Sequence, residues 1–95
     1  MSKLNMYEKL FVLIFSRSVT GYDIAKHSNI SETTISQIRG GYRLIENLTI
    51  KKGLSLEKCY DEFEEIGKIE YQRDYKKASN YYEKMKMKKD TITQE

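Results

Sequence analysis

A chain of 95 residues with 39% apolar and 33% charged side chains and a net charge of +3 suits one small soluble domain rather than a disordered segment. With no proline and only five glycines, nothing interrupts long helices from within, so the expected fold class is all-α. A single cysteine, Cys59, and a single histidine, His27, exclude an internal disulfide framework and a soft-ligand metal quartet and count against nucleophile-and-base catalysis; no cofactor, metal or enzymatic activity is expected.

The longest apolar run, Leu10 to Phe15, is six residues, against the ~20 of a spanning helix, so no membrane partner is expected. Glu8 precedes that run and no small-residue cleavage pattern follows it, which points to a cytoplasmic chain. Charge is uneven. Residues 1–45 carry six basic and three acidic side chains, residues 46–67 three basic and six acidic, and residues 68–89 eight basic and three acidic. An acidic middle between two basic ends suits a polyanionic partner, although lysines on a long helix also make an ordinary solvated face.

The first helix is predicted from about Lys3 to Ser16. Leu4, Tyr7, Phe11 and Ile14 recur at helical spacing, but Leu10, Val12, Leu13 and Phe15 make its second half apolar nearly all round. A later helix or a partner chain must cover that second face. Thr20 to Asp23 fits a capping box that opens a short second helix, Gly21 to Ser28. Asn29 accepts a left-handed backbone, Ile30 returns to the core, and Ser31 caps a third helix, Glu32 to Arg39, which the Gly40-Gly41 pair stops.

A fourth helix, capped by Asn47 or Thr49, carries Ile50, Gly53, Leu56, Cys59, Tyr60 and Phe63 near one side. Gly67 beyond it fits a stop, a kink or a tolerated helical glycine. In the Lys- and Tyr-rich stretch 68–89, Tyr71, Tyr75, Ala78, Tyr82 and Met85 follow a four-three spacing of coiled-coil period. This seam suits packing on the first helix, a symmetric dimer contact, or stacking on unpaired bases. Residues 90–95 are expected to fray.

Residues 20–41 carry the most information: a short helix, a three-residue turn and a second short helix with a polar outer face, the sequence form of a helix-turn-helix. Gly21-Tyr22-Asp23-Ile24-Ala25-Lys26, then Asn29-Ile30-Ser31, then Thr33 to Gly41 resemble the Cro and phage-repressor family, the XRE-like regulators, over roughly residues 3–65. The chain has Asn29 where that family usually has glycine, and Thr20 and Gly21 where a glutamine often stands. The resemblance implies a lambda-repressor-like domain of four or five helices over residues 1–66, with 67–89 as a helical extension. It implies double-stranded DNA as the partner and sequence-specific transcriptional regulation, as a repressor or autoregulator of bacterial, phage or plasmid type. A homodimer would read a palindromic operator, and no small-molecule ligand is expected because no ligand domain fits the chain.

With Ile35 and Ile38 inward, a helical wheel puts Thr33, Ser36, Gln37 and Gly40 outward and Glu32 and Arg39 toward a margin. Carried over from the family by position, Glu32, Thr33, Ser36 and Gln37 are the base readers. Their chemistry suits base edges: Gln pairs with adenine, Glu accepts from cytosine, and the Thr methyl packs on thymine. Lys26, Arg39 and Arg43 are the expected phosphate clamps, joined by the helix terminus at Thr20, Gly21 and Tyr22. Tyr71, Tyr75, Ala78, Tyr82 and Met85 are the dimer candidates. The alternative function is a protein-binding module, an antirepressor or an inhibitor of a nucleic-acid enzyme, working through the acidic fourth helix or the Tyr-Lys segment.

Overall fold

A computed structural model describes residues 4–93, with side chains through residue 87. It contains five α-helices: α1 (Met6–Phe15), α2 (Gly21–Ser28), α3 (Glu32–Arg39), α4 (Ile50–Glu65) and α5 (Tyr71–Thr93), with a 3-10 turn at Ile45–Asn47. No strand occurs among the described residues, and no helix among them is long and apolar enough to cross a membrane.

The predicted start of α1 at Lys3 moves to Met6, because Asn5 and Glu8 form a reciprocal cap. The Glu8 amide donates to Asn5 Oδ1 at 2.8 Å and the Asn5 amide to Glu8 Oε1 at 3.1 Å. Leu10 and Val12 through Phe15 are all buried, since α4 covers one side of α1 and α5 the other. A later helix of the same chain therefore covers the second apolar face.

The helix-turn-helix keeps its predicted boundaries. Thr20 caps α2 by accepting the Asp23 amide at 3.1 Å; the reciprocal half of the expected box, from Asp23 to the Thr20 amide, is not formed. Asn29 takes φ 63°, the left-handed turn expected of it, and Ser31 caps α3 by accepting the Thr34 amide at 3.1 Å. At the end of α3, Gly41 at φ 83° donates to the Ile38 carbonyl while the Tyr42 amide reaches Gln37 O at 2.9 Å, the paired bonds of a Schellman stop.

Thr49 caps α4, whose inner side is Gly53, Leu56, Cys59, Tyr60 and Phe63. Ile50 is a correction: in the first turn of α4 it is 79% exposed and lies off the inner side. Gly67 is a stop. It sits at φ 82°, with its amide on Glu64 O at 3.1 Å and the Lys68 amide on Phe63 O at 2.9 Å, a second Schellman pair. Ile69 then drops into the core.

Helix α5 lies on α1. Phe11 meets Tyr75 at 5.9 Å and Tyr82 at 5.6 Å between ring centroids, and Phe15 meets Tyr81 at 6.1 Å and Tyr82 at 5.3 Å. A buried carboxylate fixes its start: Asp74 accepts from Ser18 Oγ at 2.6 Å, from the Glu70 amide at 2.8 Å and from Arg73 Nη2 at 3.0 Å. The expected fraying from residue 90 gives way to helix through Thr93; residues 94 and 95 of that expectation lie outside the described residues.

Candidate nucleic-acid interface

Helix α3 is held from within by Thr34, Ile35 and Ile38, all buried, and turns Glu32, Thr33 and Ser36 to solvent with Gln37 half-buried beside them. A helix of eight residues has one such outward strip, so the four expected base readers share a face. The start of α2 closes on its flank. A Cβ on Gly21 would stand 3.4 Å from Arg39 Nη1, 3.7 Å from Ile35 Cγ2 and 3.8 Å from Glu32 Cγ, so glycine lets the α2 backbone come close to α3 there. That places the first amides of α2 beside the outward strip, where a helix terminus favours an anion.

The expected phosphate clamps divide. Lys26 and Tyr22 are exposed together on α2, the ammonium 6.0 Å from the ring centroid. Thr20 is exposed, with its hydroxyl engaged in the cap. Arg43 is half-buried in the α3–α4 connection, on the wall of a cavity of about 280 Å³ shared with Leu44, Ile45, Met85 and Lys86. Arg39 turns inward instead. Its Nε donates to Ile14 O and its Nη2 to Val19 O, both at 2.7 Å. Burial first, and the charge of Arg17 second, lower its pKa. A guanidinium still stays protonated under any ordinary condition. Arg39 ties the end of α3 to an orphan carbonyl in the last turn of α1, so its guanidinium is committed to the fold.

Arg17 is the cation that sequence reasoning missed. It lies two residues past the end of α1 with a left-handed φ of 60° and carries its guanidinium 5.2 Å over the Tyr81 ring. The Tyr81 hydroxyl donates to Arg39 O at 3.0 Å. An open cleft of about 340 Å³ results, bounded by Arg17, Gly21, Glu32, Ser36, Gly40 and Tyr81. A left-handed arginine after a helix is the signal in principle, but no residue type at position 17 announces it.

The dimer candidates are largely consumed within the chain. Ala78 is fully buried, Tyr71, Tyr82 and Met85 are half-buried against the core, and Tyr75 is 43% exposed. Large exposed apolar side chains stand elsewhere, at Leu44, Ile50 and Leu54.

His27 is exposed on α2, its Nδ1 3.0 Å from Asp23 O and its ring 4.8 Å from that of Phe63. Cys59 is buried, and burial pushes its thiol up to about 12, which keeps it protonated and unreactive. On the acidic side of α4, Asp61 and Glu57 pair with Lys9 at 2.9 and 3.4 Å. No group of three metal-ligating side chains comes together among the described residues. No protein-family model, curated protein or solved structure matches the chain.

Proposed function

We propose that this chain is a sequence-specific double-stranded DNA-binding regulator, most simply a cytoplasmic repressor or autoregulator, with α3 in the major groove. The observation that carries the reading is the outward strip of Glu32, Thr33, Ser36 and Gln37 on a helix anchored by Ile35 and Ile38, with the α2 terminus beside it. Base edges require hydrogen-bonding side chains on a rigid short helix, and this strip supplies them. The active species is a homodimer on a palindromic site, and the exposed Ile50 and Leu54 support that part in place of the tyrosine seam.

Selection of sites from a random duplex library tests the reading, with Gln37→Ala and Thr33→Ala run beside the wild type. Neither side chain is buried, so both variants should fold. The expected result is a palindromic consensus that loses about 1–3 kcal/mol of discrimination at one position per half-site in each variant. Equal, weak enrichment without a consensus in all three proteins would overturn base reading.

A protein-binding module is the second reading, favoured by the exposed Leu44 in the α3–α4 connection and the exposed Ile50 and Leu54 on α4. Under it, the Gln37 and Thr33 variants lose nothing.

A further inference from the structure

Helix α5 carries a cationic margin at the edge of the helix-turn-helix. With Asp74 and Ala78 facing the core, a wheel of α5 places Arg73, Lys77 and Lys84 on the side next to Tyr81, all three exposed; Arg73 and Lys77 pair with Asp74 at 3.0 and 3.7 Å, and Lys84 has no ion pair among the described residues. The first and last of them lie eleven positions apart, about 16 Å along the helix. Two contacts fix where this margin lies. Lys77 Nζ donates to Ser18 Oγ at 2.7 Å, two residues before the Thr20 cap of α2, and the Tyr81 hydroxyl holds the last carbonyl of α3.

The cleft at this border is short of negative charge. The Arg17 and Arg39 guanidiniums both line it, close enough for Arg17 to disfavour the charge on Arg39, while Glu32 is the one lining carboxylate among the described residues. Neither arginine has a carboxylate within ion-pair distance among those residues. With Arg39 held on two carbonyls, the exposed Arg17 guanidinium over the Tyr81 ring is the cation this cleft offers to an anion from outside. The cleft also contains Gly21 at the α2 terminus and Ser36 of the outward strip, so the anion that reaches it lies alongside whatever α3 reads.

We propose that α5 is part of the DNA-binding surface, with Arg17, held over Tyr81, and Lys84 gripping backbone phosphates of the strand that passes the start of α2. The inference rests on the DNA-binding reading and deepens it. Tyr81 is a positioning residue, Arg17 and Lys84 are phosphate contacts, and Arg39 holds the frame. The same cations would serve an acidic peptide, but the cleft that Arg17 shares with Ser36 and the α2 terminus favours DNA.

The test compares the full-length wild type with an Arg17→Gln/Lys84→Gln double variant, Lys84→Gln alone, and Lys58→Gln on the exposed side of α4 as control. Binding is read by fluorescence anisotropy on the duplex selected by the wild type and on a random duplex, from about 50 to 200 mM salt. In the double variant the slope of log affinity against log salt should fall by about 1.8, and affinity by at least about tenfold on both duplexes alike, with the consensus unchanged. Lys84→Gln alone should lower the slope by about 0.9 and carries the test if the double variant loses its helical circular dichroism. The control should match the wild type. A wild type that binds duplex with the same slope and affinity as the Lys84 and double variants overturns the inference alone. A wild type that binds no duplex even at low salt, including one that captures an acidic peptide instead, overturns the DNA reading and the inference with it.

Discussion

Arg39 and Arg43 stand four residues apart at the end of α3, with the same side chain and different surroundings. Arg39 is bound to two backbone carbonyls of the α1 region, whereas Arg43 lines a cavity wall beyond the Gly41 stop. Residue type and helical phase did not separate them, because Arg39 falls on a margin of α3 and only the close passage of α1 decides which way it turns. Asp74 shows the same difficulty. Among Arg73, Lys76 and Lys77 it reads as surface charge, yet it is fully buried three residues after Tyr71 and four before Ala78, on the inward side of α5.

Its chemistry makes a prediction. Burial alone would push the Asp74 carboxyl up, but the hydrogen bonds from Arg73, Ser18 and the Glu70 amide outweigh burial and hold it at about 2. An unfolded aspartate titrates near 3.9, so the folded form prefers the ionised group. The resulting stability is fully present above about pH 4 and is lost as the pH falls through about 2. Asp74→Asn should therefore cost about 2 kcal/mol at neutral pH, the scale of hydrogen bonds to a charge. In a domain of this size that is about 10 °C in Tm. Thermal melts should show a wide gap between the two proteins at pH 7 that narrows toward pH 2. A gap of constant width would mean that the carboxylate charge contributes nothing to the anchoring of α5.

Among the elements, α2 and α3 were legible to the residue because both ends of each are written locally: Thr20 and Asn29 for α2, Ser31 and the two glycines for α3. The inner side of α4 was equally plain, since five of its six expected apolar positions are buried. Failures fell where a distant contact decides. The aromatic seam of α5 had three open, overlapping readings because spacing cannot name the surface it meets; Phe11 and Phe15 on α1 show the packing on the first helix. Tyr81 was passed over because it lies one position off the four-three spacing, although it touches α1, Arg17 and the end of α3.

Gly67 offers a direct test at this scale. A Cβ there meets nothing within 4 Å, so the only obstacle to substitution is the left-handed backbone at φ 82°. Gly67→Ala should cost about 1 kcal/mol, the price of that conformation for an L residue. Gly67→Asn should cost less, since asparagine tolerates the left-handed region best after glycine. Denaturant melts of the three proteins should rank glycine, asparagine, alanine. An alanine variant as stable as the wild type would mean that α4 and α5 can join into one helix, and that the Schellman stop does not set the angle at which α5 meets α1.

For the whole molecule, the DNA-binding proposal requires that two copies present their α3 helices together. Half-sites one turn apart require α3 helices separated by about 34 Å. The molecule measures 44 × 26 × 22 Å, so two copies set side by side across a short dimension can meet that spacing while touching. The contact cannot use the whole tyrosine seam, because Ala78 is sealed inside and its neighbours rest on α1. Ile50 and Leu54 lie four residues apart on one side of α4, one helical turn, and both are more than half exposed. A charge placed there should act on association and leave the fold alone. Under the homodimer reading, light scattering of the wild type on its selected duplex should give two chains of 11.3 kDa per site. Leu54→Glu should shift the free protein toward the monomer and flatten the cooperativity of binding to the two half-sites, with its melting curve unchanged. A wild type that is strictly monomeric both free and on DNA would end the dimer reading while leaving the single recognition helix in place. A Leu54→Glu protein that still dimerises would move the interface off α4, and the next surface to vary would be Leu44 on the α3–α4 connection.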